Sequence, residues 1–253
     1  MALMPVSVLL LMVVMSCGES GRNGYDAYGD PLDSMYNDSL DAAAIDSLNA
    51  LQDSLQTADS ISHTHRFRIN TNIGPIDGVL YGKEAPKTVN NFIDLARRRH
   101  FNRLPFHRVA PGFVIQTGNP NTRRRSSWRN YIDTARNVSE ERLLEWQQGG
   151  ESSFGAPFED EIDTTTALMR RGYRRGTVAM ANRGPNSNGS QFFICLRDLP
   201  ELPPRYTIFG RVTGGFELID SIAAAPLIPL RSELDGMPID PVEIRWVTVR
   251  RTR

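Results

Sequence analysis

A permanent cation stands beside a strongly apolar surface in the segment FHRVAPGFVIQTG, residues 106–118. An arginine side chain stays charged over the physiological range and presents a rigid fork of N–H donors. Donors fixed against a surface that excludes water stabilise charge that develops in a transition state. Arg108 is therefore a residue whose type and surroundings could do chemistry, and Phe113 and Val114 are among its apolar neighbours in the sequence.

The elements around Arg108 must fold back for this chemistry to occur. Pro111 and Gly112 are turn residues and separate two apolar runs, so Arg108 and Phe113 could face one cavity across the turn. Each residue also has a plain structural interpretation. Phe113 and Phe193, taken alone, fit a β-sheet core, and Arg108 could be one half of a surface ion pair.

Short strands at close intervals dominate the pattern from residue 65 onward. They are predicted in HRFRINTN, GPIDGVLYG, LPFHRV, GFVIQTG, GTVAMAN, SQFFICL, YTIFGRV and EIRWVTV. Helical spacing of apolar residues predicts only two helices, over APKTVNNFIDLARRRH and FELIDSIAAA. Many strands with few helices favour a mainly β fold, either a barrel or a sandwich.

Four of these segments resemble the motifs of the cyclophilin family of peptidyl-prolyl cis-trans isomerases. They are APKTVNNF, FHRVAPGFVIQTG, the long central segment GTVAMANRGPNSNGSQFFI, and YTIFGRV. The resemblance extends over residues 66–250. It implies a closed eight-stranded antiparallel barrel capped by two helices, and an enzyme that accelerates rotation about Xaa-Pro peptide bonds.

The resemblance also implies roles for individual residues. Arg108 is expected to be the catalytic donor, and Gln116 is expected to orient it. The substrate-binding residues implied are Phe113, Val114, Ala181, Asn182, Gln191, Phe193, Leu202 and Tyr206. Val114 replaces a methionine that is frequent in the family, Tyr206 replaces a histidine, and the alignment of Leu202 depends on an atypical loop, ELPPRY.

Rotation about a peptide bond sets modest chemical requirements. Amide resonance gives a barrier of about 18–20 kcal/mol, and no proton is transferred on the way over it. The resemblance therefore implies no cofactor, no metal and no nucleophile, and His107 is interpreted as structural. The expected partners are proline-containing unfolded or flexible polypeptides. The alternative is a non-catalytic module that binds proline-containing peptides and is tethered to the membrane.

The N-terminal region predicts export. Residues 1–17 hold an apolar run too short to span a bilayer, as in a signal peptide. VMSC at 14–17 resembles the lipobox of bacterial lipoproteins, which implies that Cys17 carries acyl chains. A plain secretory signal is the alternative. The protein is expected to be lipid-anchored to a bacterial membrane, facing the periplasm or the cell surface, and to assist the folding of exported proteins.

Charge separates the next region from the rest of the chain. Residues 18–63 contain nine acidic residues and one arginine, whereas the whole chain has a net charge of zero. This region is predicted to be an acidic flexible tether with one possible short helix. Residues 64–253 form the predicted isomerase domain, with an insertion at 119–150 that includes a short helix predicted to start at Ser139. Basic and aromatic residues do not alternate along the chain, so nucleic-acid binding is not predicted.

Overall fold

The computed structural model describes residues 61–123, 150–232 and 235–252. Strand β1 (His65–Thr71) follows the alternation predicted from its sequence, with Phe67 and Ile69 buried and Arg66 and Arg68 exposed. It pairs antiparallel with β2 (Pro75–Leu80), which follows after a short turn. This hairpin therefore has one face toward the core and one face toward solvent.

All strand pairs in the described residues are antiparallel and belong to one sheet. After β1 and β2, the strands are β3 (Arg108–Ala110), β4 (Val114–Thr117), β5 (Thr177–Met180), β6 (Phe192–Cys195), β7 (Ile208–Gly214), β8 (Leu227–Ser232), β9 (Asp235–Pro238) and β10 (Ile244–Arg251). Their order is β10-β1-β2-β7-β5-β6-β4-β3-β9-β8. The mainly β prediction is confirmed.

The prediction of eight strands in a closed barrel needs correction. Eight strands match the eight predicted runs, but β8 and β9 form an additional hairpin beyond β3, so that the described part of the chain has ten strands. The strand order ends at β10 and β8, which do not pair with each other. Two backbone hydrogen bonds outside the strand pairs connect the start of β10 to the chain before β3. Arg103 N donates to Ile244 O at 2.7 Å, and Ile244 N donates to Leu104 O at 2.9 Å.

The described residues contain three α-helices, where the sequence of those residues predicted two. Helix α1 (Pro86–Arg97) begins with a proline at its first turn and buries Val89, Phe92 and Ile93. The carboxylate of Glu161 accepts hydrogen bonds from Lys87 N at 2.9 Å and Thr88 N at 2.7 Å, so it satisfies free donors at the helix N-terminus. The second predicted helix is α3 (Phe216–Ala223).

The additional helix, α2 (Ala167–Arg171), is a single short element. The side chain of Thr166 accepts a hydrogen bond from Met169 N, and Gly172 ends the helix with φ at 68°. A cap residue before the helix and a glycine after it are the standard local signals for a helix. The helix has only five residues, too few for an apolar stripe to mark it in the sequence.

Two apolar clusters lie on the two sides of the sheet. The larger contains Phe67, Phe92, Phe101, Phe192 and Phe209, whose rings pack mostly edge to face or tilted. The smaller cluster contains Val114, Phe193, Cys195 and Ile208, and partly buried residues pack against it. The smaller cluster is the one that carries the predicted site.

Several predictions fall outside the described residues. They are the signal peptide, Cys17, the acidic tether up to residue 60, and residues 124–149 of the insertion. The described residues belong to one unit, which spans 54–253. In the described ranges, no helix has both the length and the apolar character that a membrane span requires.

Candidate active site

A row of cross-strand neighbours brings the candidate catalytic residues together. Arg108 on β3 lies directly opposite Gln116 on β4, and Gln116 lies opposite Phe193 on β6. Phe193 in turn lies opposite Ala179 on β5. Directly opposed residues of antiparallel strands share one face of the sheet. The cation, the amide and the aromatic ring therefore line one surface.

The turn between β3 and β4 places Phe113 beside this row. Phe113 N donates to Ala110 O at 2.9 Å across the turn, and Gly112 adopts a positive φ of 69°. The carbonyl of Phe113 then accepts from Leu196 N at 2.9 Å, which attaches the turn to the end of β6. The turn predicted at Pro111–Gly112 is confirmed.

An apolar pocket wall forms next to Arg108. Val114 and Phe193 are buried, and Phe113, Ala181, Leu202 and Tyr206 are partly buried residues that pack against the same cluster. The rings of Phe193 and Tyr206 meet edge to face, with centroids 5.4 Å apart. These partly exposed side chains present an apolar surface to solvent, as the walls of small-molecule sites do.

Tyr206 is held by a second tyrosine. The hydroxyl of Tyr173 donates to Tyr206 O at 2.8 Å and accepts from Tyr206 N at 3.1 Å. Burial is the main cause that raises the pKa of Tyr173 to about 12, so this hydroxyl keeps its proton at neutral pH. Tyr173 was not among the predicted site residues, and its role is to fix the loop that carries Tyr206.

A polar chain of side chains forms the other side of the site. Arg108 Nη1 donates to Gln116 Oε1 at 2.9 Å, and Gln116 Nε2 donates to Gln191 Oε1 at 2.8 Å. Gln116 and Gln191 also line a small polar pocket, together with Ala181 and Asn182. The structure therefore brings the predicted catalytic pair next to three of the predicted substrate-binding residues, Gln191, Ala181 and Asn182.

A glycine permits the close approach that places Gln191. Gly118 follows β4 with φ at 93°, and a Cβ atom there would lie 2.2 Å from Ser190 O. The Ser190 hydroxyl donates to Gly118 O at 2.6 Å. Only a residue without a side chain fits this conformation and this contact. The end of β4 is thereby held against the segment that carries Gln191.

Asn182 uses its side chain to shape the loop around it. Its Nδ2 donates to Arg205 O at 2.8 Å, and its Oδ1 accepts from Gly184 N at 3.4 Å. Ala181 N donates to Gln191 O at 2.9 Å, so the backbone next to Asn182 is fixed to the polar pocket. The substrate-binding role of Asn182 stays a prediction.

His107 lies beneath the site and is buried. Burial first, and then the positive charge of Arg108, lower the pKa of His107 to about 4, while contacts with Pro105 and Gln191 oppose that shift. The ring is therefore neutral at physiological pH. A neutral buried imidazole agrees with the structural role predicted for it.

An acidic partner of Arg108 was missed in the sequence. Arg108 Nε donates to both carboxylate oxygens of Asp235, at 2.9 Å and 3.1 Å, and Nη2 donates to Oδ2 at 2.8 Å. Asp235 stands 127 positions from Arg108 in the chain, on the additional β8–β9 hairpin. The Asp-Gly pair at 235–236 is a turn signal in the sequence, but it does not indicate that Asp235 contacts Arg108.

Comparison with known proteins decides the family. Residues 66–249 match the family model described as cyclophilin type peptidyl-prolyl cis-trans isomerase/CLD. The chain belongs to the cyclophilin-type peptidyl-prolyl cis-trans isomerase family. The matched range coincides with the sheet that carries the site and leaves the N-terminal region outside it.

Individual relatives agree with this cyclophilin assignment. Peptidyl-prolyl cis-trans isomerase-like 1 of Aspergillus fumigatus is 39% identical over 175 residues, which are 69% of this chain and 89% of that protein. Peptidyl-prolyl cis-trans isomerase CYP18-2 of Arabidopsis thaliana is 36% identical over 176 residues, or 70% of this chain and 88% of that protein. Peptidyl-prolyl cis-trans isomerase-like 2 of Cryptococcus neoformans is 37% identical over 181 residues, and the match spans only 26% of that longer protein and 72% of this chain.

Solved structures support the cyclophilin fold. A crystal structure of a cyclophilin type peptidyl-prolyl cis-trans isomerase from Cryptosporidium parvum is 30% identical, with a TM-score of 0.59 over 76% of this chain and 100% of that one. A second crystal structure of that protein, in the presence of the dipeptide Ala-Pro, has a TM-score of 0.57 and covers 73% of this chain and 98% of that one. Both agree with the antiparallel sheet described above.

Proposed function

We propose that this cyclophilin domain accelerates rotation about Xaa-Pro bonds with Arg108 as the catalytic donor. The observation that carries the proposal is the row Arg108–Gln116–Phe193, in which a fixed guanidinium stands beside an aromatic wall. The wall binds the proline ring and excludes water from it. The guanidinium then acts where water cannot compete for its donors.

The rate acceleration follows from loss of amide resonance. In the twisted state the peptide nitrogen regains a lone pair, which a planar amide lacks. An N–H donor directed at that nitrogen stabilises the twisted state more than either planar isomer. Binding that is stronger in the transition state than in the ground state lowers the barrier. Arg108 needs no change of protonation to do this.

The substrate is proposed to be a proline-containing segment in an extended or unfolded chain. The apolar wall takes the proline ring, and the polar pocket around Gln116 and Gln191 takes the neighbouring main chain. The Ala-Pro dipeptide named for the Cryptosporidium parvum structure supports a proline-containing ligand for this family. A folded protein would rarely expose a proline in a conformation that fits both parts of the site.

We propose further that the protein is exported and lipid-anchored through Cys17, and that it serves exported proteins. The short apolar run before VMSC and the acidic region 18–63 support this proposal. Labelling with radioactive palmitate in a bacterial host tests it. The full chain is expected to incorporate label and to fractionate with membranes, and Cys17→Ser is expected to do neither. Equal labelling of both chains would contradict a lipid anchor at Cys17.

The catalytic proposal is tested by exchange spectroscopy. An Ala-Ala-Pro-Phe peptide is observed by NMR with a catalytic amount of the protein, and cis–trans exchange cross-peaks are measured at short mixing times. Uncatalysed exchange takes about 10–100 s, so cross-peaks within a second require catalysis. Shift changes of the peptide without exchange cross-peaks would favour a non-catalytic peptide-binding module.

A further inference from the structure

The carboxylate of Asp235 accepts hydrogen bonds along one edge of the Arg108 guanidinium. It accepts from Nε and from Nη2, which is the bidentate geometry of strong arginine–carboxylate pairs. The side chains are only 27% and 18% exposed. By comparison, Arg68 and Asp77 form a bidentate pair with 54% and 38% exposure. Water therefore screens the Arg108 pair less than this second pair.

The backbone places the carboxylate at this edge. Val109 on β3 pairs with Gly236 on β9. In an antiparallel pair this register puts Asp235 diagonally across from Arg108 on the same face, within reach of a long side chain. The β8–β9 hairpin was not among the eight predicted strands. It thus places the carboxylate of Asp235 next to the candidate catalytic residue, Arg108.

The two acceptors divide the donors of Arg108 between them. A guanidinium has five N–H groups. Asp235 uses the one on Nε and one on Nη2, and Gln116 uses one on Nη1. One N–H on each terminal nitrogen therefore remains for a substrate. The bidentate carboxylate sets the plane of the guanidinium, and Gln116 adds a second acceptor at another edge.

We propose that Asp235 is the positioning residue of Arg108: its carboxylate fixes the guanidinium plane so that the remaining terminal N–H groups point into the groove. This inference rests on the proposed catalytic role of Arg108. Asp235 acts through the arginine and touches no reacting atom. Without the negative charge of Asp235, the guanidinium of Arg108 can turn away from the orientation that catalysis needs. A misplacement on the scale of 1 Å costs up to about 100-fold in rate.

The test uses Asp235→Asn in the full chain, with Arg108→Ala as the reference and Asp77→Asn as the matched control. Asp235→Asn keeps the size of the side chain and loses the charge and one acceptor. It is expected to lower kcat/KM for a prolyl peptide about tenfold, while the peptide Kd changes far less, because the apolar wall is intact. Asp77→Asn breaks the pair with Arg68, on β1 and β2, and is expected to leave kcat/KM unchanged.

A spectroscopic readout separates positioning from general stabilisation. In the wild type, the Nε–H signal of Arg108 is expected to be protected from solvent exchange by the two carboxylate oxygens. Asp235→Asn is expected to lose this protection, and Asp77→Asn to keep it. A drop in melting temperature with unchanged Nε–H protection and unchanged kcat/KM would reduce Asp235 to a structural role.

The outcomes distinguish this inference from the proposed function. If Arg108→Ala loses activity and Asp235→Asn keeps it, only the positioning role is wrong. A rise of kcat/KM in Asp235→Asn would also overturn it, because the carboxylate would then be withholding the arginine from substrate. If folded Arg108→Ala keeps activity, the proposed catalytic role is itself wrong.

Discussion

Gln116 forms hydrogen bonds both to the candidate catalytic residue, Arg108, and to Gln191 in the small polar pocket. Its Oε1 accepts from Arg108 Nη1 at 2.9 Å, and its Nε2 donates to Gln191 Oε1 at 2.8 Å. One amide thus satisfies a donor of the arginine and an acceptor of the buried glutamine. The register places Arg108 and Phe193 on the two sides of Gln116, and Gln191 lies two residues before Phe193, next to the start of β6.

Replacing this amide by an apolar side chain of similar size should reduce catalysis more than stability. Gln116→Leu removes both hydrogen bonds, so Arg108 and Gln191 lose a common partner. We expect kcat/KM to fall about tenfold, since the guanidinium loses its acceptor at Nη1 and keeps only the support that Asp235 gives at its other edge. NMR measurement of the cis–trans exchange rate at several peptide concentrations gives kcat/KM. Asn70→Leu, which removes an amide on β1 outside the site, is the control, and equal losses in the two variants would contradict the account.

Phe193 should be required for substrate binding beyond its contribution to the core. Phe193→Leu keeps an apolar residue but removes the flat ring that meets Tyr206. Its cost in unfolding free energy should be roughly 1–2 kcal/mol, between the cost of removing one methyl group and that of truncating the ring to alanine. We expect the peptide Kd to rise clearly. Phe209→Leu, in the larger cluster, should cost similar stability and leave the Kd unchanged; a Kd that rises equally in both variants would assign the effect to stability.

His107 makes stability depend on pH in the acid range. Its pKa is about 4 in the folded protein, against 6.5 for an unperturbed histidine. The unfolded chain therefore binds the proton first as pH falls. The stabilisation is complete above about pH 6.5, declines as pH falls toward 4, and the total loss is on the order of 3 kcal/mol.

Urea unfolding across this pH range measures the effect. His107→Gln should flatten the decline of the unfolding free energy between pH 6.5 and pH 4. A residual slope of the same sign is expected from His100, whose pKa is lowered chiefly by burial. An unchanged slope in His107→Gln would show that the ring is not buried in its neutral form.

Much of the sheet is predictable because local pattern and final environment agree. The alternation in β1 and the apolar runs of β4, β5 and β6 each match the burial that the structure gives them. The turn at Pro111–Gly112 is set by its own residues, so the proximity of Arg108 and Phe113 could be anticipated. The roles assigned to Gln116, Phe193 and Tyr206 came from the family resemblance rather than from spacing.

The β8–β9 hairpin had no such local signal. Pro229 lies inside β8 and Pro238 ends β9, and proline normally argues against a strand. These residues pair because they extend the sheet at the edge next to β3, which is a property of the tertiary structure. The Arg108–Asp235 pair depends on that edge and on a separation of 127 residues, so no local pattern could reveal it.

The most direct test of the account is the cis–trans exchange rate of a prolyl peptide with the wild type, Arg108→Ala and Arg108→Lys. Circular dichroism and the melting temperature establish that each variant is folded. We predict that Arg108→Ala lowers kcat/KM by about 10²–10³, and that Arg108→Lys recovers little, because a lysine keeps the charge without the planar fork. A folded Arg108→Ala variant that exchanges the peptide as fast as the wild type would contradict the central claim.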